Sequence, residues 1–369
     1  MEVRPADALA MRMTSLLLGE RAGVTTVADV VRWFGAMQAQ DLGSAMWSLG
    51  VRLPELTAVD VHAALERREA LRTWPMRGTV HLVPPRDAHW MLNLMGARVL
   101  AGSAARRAAL GLSDAMAERG VAVLGAALAG GRRLTRAECL AVLAEAGVSG
   151  AGQLGYHLLW YASQLGVTCI APNVGKEQTF VLLDEWVPDP YRPERDEALA
   201  IIARRYFRSH GPTTRQDLAG WTGLTAADAR RGIAVAGEDL AAVRVDGVEM
   251  FVDPTLLEAY HAAPVAGPVD DVLALPGFDE YLLGFKDRAL MLAAEHKQAI
   301  IPGGNGMFQS TIVRGGRVIG TWKRTATKRR LTVQVRPLVP IGATDRVRVE
   351  AALQPYARFV DSVLDVRWP

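Results

Sequence analysis

The run Val243-Arg244-Val245-Asp246-Gly247-Val248-Glu249-Met250-Phe251-Val252 constrains this chain more than any other stretch. Apolar residues alternate on either side of an Asp-Gly pair. That pattern specifies two short antiparallel strands joined by a tight turn, because Asp and Gly tolerate the positive φ such a turn requires. Upstream, residues 194–209 read as a helix, residues 211–218 as a turn into a short helix, and residues 225–235 as a third helix. Three helices followed by a hairpin is the order of a winged helix, the elaborated helix-turn-helix.

The same order occurs twice earlier. Residues 7–18 and 25–37 carry helical patterns, with Thr25-Thr26 as the N-cap of the second. A third helix is expected over 58–68, and alternating residues follow around 73–83. Next, Leu134-Thr135-Arg136-Ala137-Glu138 starts a helix, 152–164 makes another, and 167–183 alternates as a hairpin. From residue 272 the texture turns to strands, at 272–275, 299–301, 311–313, 317–322 and 331–339, before a closing helix over 346–364. The expected architecture is α+β: winged-helix units over 1–112, 113–190 and 191–263, then a small β domain over 264–369, entered through a linker at 264–268.

A chain of 369 residues, half of them hydrophobic, suits two to four packed domains. Cys139 and Cys169 are the only cysteines and form no metal-ligand or redox spacing, which fits free thiols in a reducing cytoplasm. No run approaches the roughly 18 apolar residues of a membrane span, and no signal segment opens the chain, so a cytoplasmic location is expected. No heptad pattern calls for a dimer, and a monomer is the expectation.

Charge is unevenly placed. Net charge is only +3, yet residues 296–344 contain no Asp or Glu and nine Lys or Arg, so the rest of the chain is net acidic. A basic field on an acidic protein is the footprint of a polyanion partner. The alternative is that these charges deter pairing at sheet edges.

Most catalytic templates are missing. The chain has no GxxxxGK[ST] phosphate loop, no HExxH, no GxSxG and no Cys with a plausible His partner, so neither a metal nor a cofactor is expected. Leu275-Pro276-Gly277 opens like a helix-hairpin-helix turn, but Phe278-Asp279 does not continue it. Two features stand out instead. Gln38-Ala39-Gln40 places two amides between apolar stretches, where they either cap a helix end or hold a water or a polarised substrate atom. Around the first hairpin, Arg77, Thr79 and His81 alternate along an expected strand and would share one face, which meets phosphates or a base, or is simply solvated.

Taken together, Met37-Gln38-Ala39-Gln40-Asp41, Arg77-Gly78-Thr79-Val80-His81-Leu82-Val83, the three winged-helix-like units and Gly320-Thr321-Trp322-Lys323-Arg324 resemble the AlkZ-like winged-helix DNA glycosylases. The resemblance runs over nearly the whole chain. It implies tandem winged helices in a C-shaped arrangement plus a small β domain. It also implies excision of alkylated purines from double-stranded DNA, including bulky adducts or interstrand crosslinks left by DNA-reactive natural products, in repair or in self-resistance to a genotoxin. The family's motif is glutamine, an apolar residue, then glutamine or aspartate. This chain carries the double-glutamine form, so catalysis maps onto Gln38 and Gln40. DNA contacts are expected from Lys323, Arg324, Lys328, Arg329 and Arg330, with Arg77, Thr79 and His81 near the lesion. Two other classes stay open: a non-enzymatic winged-helix transcriptional regulator reading an operator with its 213–235 segment, and a scaffold that binds protein.

Overall fold

A computed structural model describes residues 1–19, 23–148, 152–262, 271–326 and 330–369. The expected linker at 264–268 and the basic residues Lys328 and Arg329 lie outside the described residues. The chain is α+β and gathers into two compact units, one of Met1–Val61 with Leu199–Pro369, the other of His62–Ala198. Among the described residues, no helix is long and apolar enough to cross a membrane.

In the first unit the hairpin forms where the Asp-Gly signal places it. Ala241–Val245 pairs with Val248–Val252, Val245 facing Val248, and Asp246 and Gly247 sit at φ 49° and 76°. Its inward residues Val243, Val245, Met250 and Val252 share a core with Val3, Ala8 and Met11 of the chain start. Three helices precede it, Arg195–His210, Arg215–Thr222 and Ala226–Ala236. Arg215–Thr222 begins at a capping box in which Thr214 Oγ accepts from Asp217 N–H and the Asp217 carboxylate accepts from Thr214 N–H.

The C-terminal residues of this unit form a five-stranded sheet in the order Val363–Arg367, Arg330–Pro337, Arg317–Ala326, Ser310–Arg314, Val272–Leu275. All neighbours are antiparallel except the first pair. Two expectations fail here. Residues 299–301, expected as a strand, belong to a helical turn, Lys297–Ile300, followed by the tight Pro302–Gly304 turn. An apolar pair this short carries no period of its own. The closing helix spans Ala343–Phe359 rather than reaching 364. Asp361 adopts φ 48°, which ends helical geometry, and Val363–Arg367 then adds a parallel edge strand.

Aromatic side chains tie the Leu42–Arg52 helix to this sheet. Trp47 lies 5.0 Å from Tyr356 and 5.2 Å from Phe359 between ring centres, and Trp322 lies 5.2 Å from Tyr356. The indole N–H groups of Trp47 and Trp322 donate to the successive carbonyls of Ala274 and Leu275, each at 2.9 Å. Both buried indoles are thereby satisfied.

In the second unit the strands run Thr79–Val83, Leu71–Met76, Thr168–Val174, Glu177–Leu182, Leu134–Thr135. Helices Asp114–Leu128, Arg136–Glu145 and Gln153–Gln164 precede the second hairpin, and Thr135 with Glu138 forms the capping box that the sequence advertises. Arg77 does not lie on a strand as expected. It occupies the turn of the first hairpin at φ 55°, followed by Gly78 at 71°, because the strands close over a two-residue loop there.

Candidate active site

The glutamine pair is not at a helix end. Gly35, at φ 79°, stops the preceding helix at Val27–Phe34, short of the expected residue 37, because a residue in that conformation breaks the hydrogen-bond ladder. The chain then runs through a short strand, Met37–Gln38, and Asp41 N-caps the Leu42–Arg52 helix by accepting from Ser44 N–H at 2.7 Å. Residues 36–39 are buried, with Gln38 at 8% exposure, whereas Gln40 is exposed. Gln38 is therefore set in protein, whereas Gln40 stands at the surface.

This segment is also tied to a buried pair of adjacent carboxylates that sequence reading missed. Glu280, 1% exposed, accepts the Gln38 backbone N–H at Oε1, 3.0 Å, and the Trp221 indole N–H at Oε2, 2.9 Å. His210 Nε2 stands 3.4 Å from the same Oε2. The His210 ring stacks on Tyr206 at 4.5 Å and meets Trp221, Phe285 and Phe34 at its edges. A side chain at Gly284 would collide with this imidazole. Asp279 accepts both guanidinium arms of fully buried Arg52, at 2.8 and 3.0 Å, and the Ser48 hydroxyl at 2.6 Å. Burial pushes the Asp279 carboxyl up, but the Arg52 charge and these hydrogen bonds outweigh it and hold the group below the ordinary carboxylate value. The only sequence signal was the run Leu275-Pro276-Gly277-Phe278-Asp279-Glu280, whose two successive acids follow apolar residues.

One expected DNA-binding residue is brought to the glutamine segment. Arg324, on Arg317–Ala326, lies 3.9 Å from Asp41, hydrogen-bonds to the Tyr356 hydroxyl, and packs where a side chain at Gly43 would stand. Lys323 and Arg330 are exposed on neighbouring antiparallel strands.

In the second unit Arg77, Thr79 and His81 do come together. His81 is fully buried, its Nδ1 lies 2.8 Å from the Thr79 carbonyl, and Arg77 reaches its Nε2 at 3.2 Å. An N–H at Nδ1 donating to the carbonyl leaves Nε2 to accept from the guanidinium, so the ring serves as a neutral bridge. Neither cysteine offers a nucleophile: burial pushes the Cys139 thiol up to about 12 and drives Cys169 higher still.

Residues 31–359 match the family described as DNA glycosylase AlkZ-like. Among solved structures the chain is similar to the Streptomyces sahachiroi DNA glycosylase AlkZ, with TM-score 0.80 and 27% identity, covering 100% of both chains. It is also similar to an interstrand DNA cross-link repair glycosylase of Streptomyces sahachiroi, 28% identical over 341 residues, 88% of each chain. The α+β fold and these matches define a DNA glycosylase, an enzyme that cuts the bond between base and sugar. The chain belongs to the AlkZ-like family.

Proposed function

We propose that this glycosylase acts in DNA repair or self-resistance, hydrolysing the N-glycosidic bond of cationic alkylated purines such as N7-alkylguanine, including bulky adducts or interstrand crosslinks. The observation that carries the reading is the double-glutamine segment, with Gln40 open to solvent and Gln38 anchored through its main chain on a buried carboxylate. The crosslink-repair relative supports the substrate class.

The chemistry suits neutral amides. An N7-alkylguanine already bears positive charge, so the C1′–N9 bond breaks with its electron pair moving onto the purine, which leaves neutral without acid assistance. The sugar develops oxocarbenium character, as in other glycoside cleavages. A water oxygen then bonds to C1′ and releases its proton to solvent. Gln38 and Gln40 orient that water by hydrogen bonding, without acting as strong bases. Weak basicity confines the reaction to good leaving groups and spares normal DNA. No Schiff-base lysine is required, so the enzyme is monofunctional.

Lys323, Arg324 and Arg330 contact backbone phosphates from the basic sheet, and Lys328 and Arg329, outside the described residues, are assigned the same role. Arg77 and Thr79 lie near the lesion, and buried His81 acts by holding Arg77. The four-part organisation, with winged-helix units over 1–112, 113–190 and 191–263, is part of the same proposal, as is a monomeric enzyme. The regulator reading has no support from the relatives, which are glycosylases.

The test is incubation with an oligonucleotide carrying N7-methylguanine or a crosslinking adduct, followed by alkali to cut abasic sites. Gln38→Ala and Gln40→Ala are expected to lose excision by about 100-fold or more while keeping DNA affinity, the pattern for groups acting only in the transition state. Base release at the wild-type rate from both variants would end the proposal.

A further inference from the structure

We propose that Glu280 is a positioning residue of base excision: it fixes the Gln38 backbone from beneath, while its neighbour Asp279 fixes the helix that follows Gln40. This inference rests on the reading that Gln38 and Gln40 steer the attacking water.

Gln38 ends the two-residue strand Met37–Gln38 and Gln40 directly precedes the helix start at Asp41, both glutamines within five residues of the helix stop at Gly35. A strand of two residues has few ladder bonds, so its placement depends on further contacts as well. Both flanks are tied to one dipeptide. On the leading side, Gln38 N–H donates to Glu280 Oε1 at 3.0 Å. On the trailing side, Ser48 and Arg52 of the Leu42–Arg52 helix bind Asp279. Asp279 also caps its own short helix, accepting from Tyr281 N–H at 2.9 Å, which locks the two carboxylates to each other. Donors reach both Glu280 oxygens, Gln38 N–H at Oε1 and the Trp221 indole at Oε2, which fixes the group in one orientation and suits a reference point.

A simpler role would be to satisfy buried donors, and a glutamine would serve that role nearly as well if only one donor were present. Here the donors arrive at both oxygens. Trp221 Nε1–H occupies Oε2 while Gln38 N–H occupies Oε1. An amide at position 280 has one oxygen and one NH₂, so one of the two donors must face another donor. His210 closes the third side. Its Nδ1 is 2.8 Å from Ser209 Oγ, whose own proton goes to the Arg205 carbonyl at 2.7 Å, so Nδ1 carries a proton and Nε2 faces Glu280. The stacked Tyr206 ring and the bulk of Trp221 and Phe285 leave this imidazole no alternative position. The Trp221 indole N–H thus holds the carboxylate, the immobile His210 ring walls its third side, and the carboxylate transmits that rigidity to Gln38.

The consequence is specific to chemistry. A displacement of about 1 Å at a water-orienting group costs on the order of 100-fold in rate without changing substrate affinity. Single-turnover excision and DNA affinity should be measured for Glu280→Gln, for Glu280→Gln combined with Trp221→Phe, and for Gln38→Ala and Gln40→Ala in parallel, with melting temperatures for all. Glu280→Gln is expected to slow excision by about 10- to 100-fold at unchanged DNA affinity. Adding Trp221→Phe removes the indole donor, lets the amide oxygen face Gln38 and the NH₂ face His210, and is expected to recover at least about tenfold of the loss. Wild-type excision by Glu280→Gln, while the glutamine variants are inactive, would overturn the positioning role and leave the water-steering reading intact. A loss that tracks a fall in melting temperature and DNA affinity, with no recovery in the double variant, would also overturn it. Activity retained in both glutamine variants would remove the reading beneath it, and the inference with it.

Discussion

Arg52 and Asp279 illustrate how one pair of residues can decide whether a site exists. Their side chains are 0% and 3% exposed, and each charge is compensated by the other and by Ser48, with the Leu16 carbonyl on Arg52 and the Tyr281 N–H on Asp279. A pair this deep adds little net stability relative to an apolar replacement, but removing one partner strands the other. Arg52→Leu is therefore expected to cost about 3–5 kcal/mol in denaturant-induced unfolding. The same pair sets a pH dependence. Because the Asp279 carboxyl is held below its ordinary value when folded, the unfolded chain takes up the proton first as pH falls. Stability from this group is full above the unfolded value of about 3.9 and drains away on acidification through the folded one. Asp217 contributes in the same sense: burial raises it, but the Thr214 and Thr213 hydroxyls and the Thr214 and Lys286 N–H groups hold it down. Urea midpoints should fall as pH is lowered below about 4, and Asp279→Asn should shallow that fall from a lower starting point.

At the scale of elements, the Leu42–Arg52 helix is the piece on which the glutamine segment depends. It presents Trp47 to Tyr356 and Phe359, and Ser48 and Arg52 to Asp279. Gly50 lets the terminal helix approach: a Cβ there would sit 2.6 Å from Phe359 Cε2 and 2.9 Å from Trp47 Cε3. Gly50→Ala is expected to destabilise by about 1–3 kcal/mol through overpacking, read as a lowered melting temperature. The Phe359 ring should have to move, since the alternative is a shift of the helix that carries Arg52. A gain in stability, as helix propensity alone would give, would mean that the two helices are not in tight contact.

For the whole molecule, charge and shape divide the labour. The acid-free stretch 296–344 supplies strands whose alternate residues point inward, such as Trp322, Val333 and Val335, while Lys323, Arg324 and Arg330 remain at the surface. Each phosphate they neutralise would release counterions, so the slope of log affinity against log salt should lose about 0.9 in magnitude for each of Lys323→Ala and Arg330→Ala. Fluorescence anisotropy with undamaged duplex measures this, and an unchanged slope would place DNA on another surface.

Much of this was local and therefore written in the chain. Capping boxes at Thr135 and Thr214, the Asp246-Gly247 turn and the period-two strands of the basic sheet arise from contacts within a few residues, and the sequence alone determined them. The glutamine pair and the basic field were legible as composition and motif. Errors fell where local signals are weak: residues 299–301, the end of the closing helix, and Gly35, whose conformation ends a helix that apolar spacing alone would extend. What only the tertiary structure decided is the setting of the motif. Gln38 meets Glu280 across 242 positions of sequence, and Arg52 meets Asp279 across 227. No periodicity encodes such pairings, because a buried carboxylate is tolerable only where packing has already assembled its donors, and that assembly is a property of the folded chain.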